Sequence, residues 1–256
     1  MRSIHSRTLA TLVALAAAML VAACGGDGND SGASTDPVAV KLIALNDFHG
    51  NIEPPAAANG GSVVLKDSTN PAGTAVRTGG AAYLATLVRQ LRAKNPNSIV
   101  VGAGDMIGAS PVTSTLTHDE SSVDVLNKVG LEVTAVGNHE FDHGKGELLR
   151  MQNGGCYTGG VIGQDTCINN GVFTGATYRY LAANVVETAT GKTLFPATYV
   201  KQFGTIAVGF IGLTLKGTPG VVTSTGVAGL EFLDEAATIN AQAAQSAPTA
   251  RRPSWS

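Results

Sequence analysis

The sequence has no excess of positive charge. Its 17 lysines and arginines stand against 19 acidic residues, a formal charge of -2, so a nucleic-acid polymer finds no basic surplus to bind through its phosphates. Long apolar runs are also missing. The stretch from Leu9 to Ala23 falls short of the ~20 residues that a helix needs to cross a bilayer, which argues against an integral membrane protein. Cysteine is scarce, with three in 256 residues, and no histidine follows His143. No internal repeat is visible, which leaves no sign of a solenoid or an array.

The N-terminus is distinctive. "MRSIHSRTLATLVALAAAMLVAAC" has a basic lead, a short apolar stretch and then a cysteine, the layout of a secretory signal. "VAAC" resembles the lipobox of bacterial lipoproteins, so residues 1–23 are expected to be a signal peptide and Cys24 the lipidated N-terminus of a periplasmic, membrane-anchored protein. The following "GGDGNDSGASTDP" has almost nothing to bury, and residues 24–37 are expected to form a flexible tether. With Cys24 assigned, Cys156 and Cys167 remain. They lie in a Gly- and Asn-rich loop, and a single pair in an exported chain most simply forms one disulfide.

Residues 38–245 alternate strand and helix patterns. "AVKLIAL", "SIVVGAG", "LEVTAVG" and "YRYLAANVV" read as strands. "TGGAAYLATLVRQLRAKNPN" reads as a helix with Leu84, Leu87, Val88 and Leu91 on one face, and "SSVDVLNKVG" as a second helix with serine caps. A hairpin turning near Phe203 and Gly204 and a helix over "EFLDEAATINAQAAQ" follow. Such alternation implies a largely parallel sheet covered by helices. Residues 246–256, "SAPTARRPSWS", break the pattern and read as a truncated or frameshifted tail, expected to be disordered.

Polar residues gather where the strands end. "LNDFHGN" places Asp47 and His49 two apart, on the same side of an extended segment. "GAGDMIGAS" frames Asp105 with small residues. "VGNHEFDHG" carries Asn138, His139, Glu140, Asp142 and His143. The carboxyl edge of an open parallel sheet is where ligands bind. Two other patterns are decoys: the glycines of "VGAGDMIG" would set Asp105 against a pyrophosphate, and "TGKT", Thr190 to Thr193, lacks the glycine a phosphate loop requires at Val186.

"NDFHGN", "GDMIGAS" and "GNHEFDHG" together resemble the first three motifs of the bacterial 5'-nucleotidase branch of the calcineurin-like metallophosphoesterases, and the resemblance extends from Val38 to about Gln245. It implies an αββα sandwich of mixed sheets flanked by helices, incomplete at its C-terminus. It also implies hydrolysis of nucleotides or other phosphoesters, 2',3'-cyclic nucleotides among them, with two divalent cations (Mn, Zn, Mg or Ca). Asp47 and His49 would hold one cation, Asp105 would bridge both, and Asn138 would bind the second. His139 would meet the phosphate and leaving oxygen, oriented by Asp142. Glu140 and His143 have no role in those motifs and read as structural or solvated residues, and His118 as a surface residue. The family's later "THxG" and "GHxH" segments are absent, which leaves the second cation site incomplete and makes an inactive, lipid-anchored remnant the alternative expectation.

Overall fold

The computed structural model describes residues 37–246. The expected signal segment, Cys24, nearly all of the tether and the tail beyond Ser246 lie outside the described residues. In chain order the elements are β1 (Lys41–Leu45), β2 (Ser62–Leu65), β3 (Thr74–Arg77), α1 (Ala81–Ala93), β4 (Ser98–Gly102), α2 (Val112–Thr115), α3 (Glu120–Val129), β5 (Val133–Ala135), α4 (Gly144–Asn153), β6 (Arg179–Leu181), β7 (Val185–Glu187), β8 (Thr198–Phe203), β9 (Ile206–Ile211), β10 (Leu230–Phe232) and α5 (Glu235–Ser246).

β4 is the run Ser-Ile-Val-Val-Gly, whose first three residues are buried. Such a continuous apolar strand suits the middle of a parallel sheet, covered on both faces. It pairs with β1 on one side and β5 on the other, and β6 completes the parallel order β1-β4-β5-β6. Register runs from Lys41 opposite Ser98 to Leu45 opposite Gly102, and Val133 lies opposite Arg179. Neighbouring β4 side chains point to opposite faces. Val100 joins Val88 of α1, Val123 and Leu126 of α3, and Leu148 and Met151 of α4 in the larger core. Ile99 joins Val133, Leu181 and Phe203 in a smaller core, against which Tyr199, Val208 and Phe210 of the antiparallel β8–β9 hairpin also pack. Helices thus cover one face and a hairpin the other. With the antiparallel pairs β2–β3 and β7–β10, the molecule is an α/β sandwich of mixed sheets flanked by helices.

Several local expectations change. "YRYLAANVV" is two strands in different sheets, because Asn184 turns the chain by bonding Thr214 and Leu233. Glu231 and Phe232 belong to β10 rather than to the last helix, which starts at Glu235. α3 starts at Glu120 after Asp119, whose side chain makes no cap bond; Thr117, not a serine, accepts the Ser121 backbone N–H, and Ser122 is buried against Ser114. Leu87 is 52% exposed while Val88 is buried. Leu84, Val88 and Leu91 form the inward stripe, and Leu87 lies at its border, where β1 is the sheet's edge and nothing described covers it. The β2–β3 hairpin was not expected; all four β3 residues are exposed, so it carries little apolar periodicity.

The loop after α4 is pinned at two places. Cys156 and Cys167 are joined, with their Cα atoms 5.3 Å apart. Buried Glu120 accepts the Cys167 N–H at 2.6 Å, the Thr166 hydroxyl at 2.5 Å and Arg150 Nη1 at 2.5 Å. The Arg150 guanidinium also bonds Glu147 and lies over the Tyr157 and Phe173 rings. His118 stacks on Tyr157 with centroids 3.8 Å apart and is half-buried rather than a plain surface residue.

Candidate metal centre

The loops after β1, β4 and β5 meet at the carboxyl edge of the sheet. The chain continues the sheet's bonding past the strands: Asp47 N–H donates to Gly104, His49 N–H to the Asp105 carbonyl, and Gly50 N–H to Met106. The sequence predicts Asp47 and His49 in an extended segment, and the structure corrects this: the chain turns there. Asp47, His49 and Asp105 all have left-handed backbones, with φ of 49°, 45° and 56°. Such conformations are uncommon outside glycine and cost roughly 1–3 kcal/mol each when strained, less for Asp, which tolerates them better than most. They turn the side chains of separate loops toward one point.

Close backbone approach makes this possible. A Cβ on Gly137 would come within 2.2 Å of Asp105 Oδ1, and one on Gly104 within 2.6 Å of the Gly137 nitrogen. Glycine is required at both positions because the β4 and β5 loops touch there.

His49, Asp105 and His139 each offer a ligand atom, and the three atoms lie within 4.8 Å of one another. The His49 and His139 rings are 4.8 Å apart, edge to face. His49 Nδ1 lies 2.8 Å from the Gly108 carbonyl. A carbonyl only accepts, so Nδ1 carries the proton and Nε2 the lone pair that a cation needs. Asp105 Oδ1 accepts the His139 backbone N–H at 3.0 Å. The His49 Nε2 lone pair and the Asp105 carboxylate are donors suited to a divalent cation, and the residues present fit one, with the His139 ring beside it.

Asp47 stands beside this cluster. Its Oδ1 is 3.8 Å from His49 Nε2, its side chain is 56% exposed, and Asn46 donates to its other oxygen. Asn138 is half-buried directly before His139. His139 Nδ1 is 2.9 Å from Asp142 Oδ2, across the single turn His139–Phe141. That hydrogen bond, opposed by partial burial and aided by the charges of Asp142, Asp105 and Glu140, raises the His139 pKa above the ordinary histidine value. The protonated imidazole is thereby favoured, with Nε2 toward the cluster.

Glu140 has a part that the motifs did not assign. It is buried and accepts backbone N–H groups from Asp105 at 2.9 Å, Met106 at 2.7 Å and Gly137 at 2.7 Å. One carboxylate thus ties the β4 loop to the β5 loop. The available signal was only an acidic residue between histidine and phenylalanine. His143 is exposed.

Residues 40–191 match the calcineurin-like phosphoesterase family. The chain belongs to that family. It is 44% identical over 203 residues to an uncharacterized protein in the pqq-V 5' region of Acinetobacter calcoaceticus, covering 77% of this chain and 95% of that protein. It is 33% identical to the endonuclease YhcR of Bacillus subtilis over 81% of this chain but 16% of that protein. A 5'-nucleotidase of Vibrio cholerae is 27% identical over 60% of this chain and 25% of its own length. Among solved structures, the NAD nucleotidase of Haemophilus influenzae shares the fold with a TM-score of 0.59 at 23% identity, over 81% of this chain and 32% of that one. The 5'-nucleotidase precursor of Thermus thermophilus does so with a TM-score of 0.57, over 80% and 34%. The chain therefore spans about a third or less of these larger proteins.

Proposed function

We propose that this member of the calcineurin-like phosphoesterases hydrolyses phosphoesters of the nucleotide type with divalent cations held by His49, Asp105, Asp47 and Asn138. The observation that carries the reading is the convergence of His49, Asp105 and His139 from three strand ends, with His139 oriented by Asp142. The names of the nucleotidase relatives support the substrate type.

Divalent cations held by these residues would activate water for attack and offset the phosphate's charge. The chain's own residues do the rest. His49 presents Nε2 because Gly108 fixes its tautomer. Asp105 offers two oxygens, one of which also holds the His139 backbone. Protonated His139 hands its Nε2 proton to the leaving-group oxygen, while Asp142 keeps Nδ1 protonated and the ring in place.

Phosphate release from AMP and bis(p-nitrophenyl) phosphate with added manganese tests this. Turnover is expected to fall by roughly 10²–10⁴-fold in His139→Ala, the usual worth of a general acid. Asp105→Ala is expected to abolish manganese binding by calorimetry; unchanged binding would show the site misassigned. A second reading, cation binding without turnover, draws on the single cluster of His, Cys, Asp and Glu found among the described residues. Manganese binding with no His139-dependent phosphate release would favour it.

A further inference from the structure

Beside the site lies a cleft of about 660 Å³ between the end of β1, the loop Thr78–Gly80 and the outer face of α1. Its volume falls within the roughly 300–1,000 Å³ of small-molecule sites. Its walls are Leu45, Phe48, Tyr83, Leu84 and Leu87. Tyr83 and Leu87 are each 52% exposed and stand one turn apart on α1, so they form one continuous apolar strip. Both would be costly to leave bare in water. Asn51, Thr78 and Gln90 add uncharged polar groups, and no lysine, arginine or histidine among the described residues lines the space.

Among the described residues the only charged wall residue is Asp47, which is also a candidate cation ligand. Asp47, Phe48 and His49 are consecutive, so one short segment serves both places: His49 belongs to the cation cluster, Phe48 lines the cleft, and Asp47 lies beside the first and on the wall of the second. A phosphate group has no counter-charge inside the cleft and meets a carboxylate at its mouth. The uncharged part of a phosphoester meets apolar walls, an exposed tyrosine ring and amide groups.

We propose that this cleft is a binding subsite for a flat, uncharged aromatic group of the phosphoester, an aryl ring or a nucleobase, held against Tyr83 and Leu87. The proposal rests on the phosphoesterase reading above and adds the substrate class to it. It gives the chain a means of selecting substrates within its own α/β layer.

The test is calorimetric binding of hydrolysis-resistant phosphonates to the manganese-loaded full chain. Methylphosphonate reports the cation site alone. 1-Naphthylmethylphosphonate and the 5'-methylenephosphonate analogue of AMP report the cleft and separate the aryl from the nucleobase source. At least one of the two is expected to bind ten-fold or more tightly than methylphosphonate. Tyr83→Ala/Leu87→Ala, altering two exposed side chains, is expected to erase that gain while leaving methylphosphonate affinity unchanged, which also checks folding. No aromatic gain in the wild type, or a gain that survives the double variant, overturns the subsite while leaving the phosphoesterase reading intact. Absence of manganese-dependent methylphosphonate binding overturns both.

Discussion

Glu140 is 2% exposed and gives its two oxygens to three backbone N–H groups, so its carboxyl group is a joint between loops. Glutamine has one acceptor oxygen, and its NH₂ would face at least one of those donors. Glu140→Gln is therefore expected to destabilise the fold by about 1–3 kcal/mol, measured by urea unfolding, because a buried donor loses its partner. Burial pushes the Glu140 pKa up to about 7, against the three donors that favour the ionised form. Between the ordinary carboxyl range and about pH 7, the folded state then holds a proton that the unfolded state has released. Stability of the metal-free protein should fall as pH rises through that window, and the glutamine variant should lose that slope; an identical slope would remove Glu140 as its source. His139 provides the second case. Its pKa is raised first by the Asp142 hydrogen bond, so Asp142→Asn should lower its NMR titration midpoint, and turnover should drop by roughly 10–100-fold, as for other lost orienting partners. A midpoint that did not move would break the pairing.

At the level of elements, the loop between α4 and β6 depends on contacts distant in sequence. The Cys156–Cys167 bridge closes a separation of 11 residues, which stabilises by about 2–3 kcal/mol in the chain-entropy account. Reduction should lower the denaturation midpoint accordingly, and a midpoint indifferent to reductant would deny the bridge that role. Arg150 and Glu120 form a more costly joint, with side chains 10% and 2% exposed. Arg150→Met should destabilise by about 3–5 kcal/mol, since it strands a buried carboxylate. The β1, β4 and β5 patterns were legible because each strand is a short β-branched run ending in polar residues. Asp47, His49, Asp105 and His139 could be read because they sit in those brief runs. The left-handed turns at Asp47 and His49 could not, because they are set by bonds to Gly104 and Asp105 in the loop after β4. Nor could Glu140's partners, two of which lie 34 and 35 residues away. Leu87 misled because helical periodicity shows which residues share a face, not whether anything covers the border of that face.

At the scale of the whole molecule, we propose from the sequence that Cys24 is a lipidated anchor; it lies outside the described residues. If "VAAC" is processed as proposed, Cys24→Ser should move the protein from the membrane fraction to the soluble periplasmic extract, and retention in the membrane would overturn the anchor. No described helix is long and apolar enough to cross a membrane. The parallel order β1-β4-β5-β6 has a temporal side as well. The candidate ligands and their orienting partner fall in one unbroken stretch, Asp47 to Asp142, on three strands that are neighbours in space. The hairpin that closes the opposite face is encoded afterwards, at Thr198 to Ile211. As the chain emerges from its N-terminus, the groups that grip a cation are thus the first to become available, before the second core has its cover. A cation bound that early would act as a scaffold for assembly, and manganese should speed refolding as well as stabilise the finished protein.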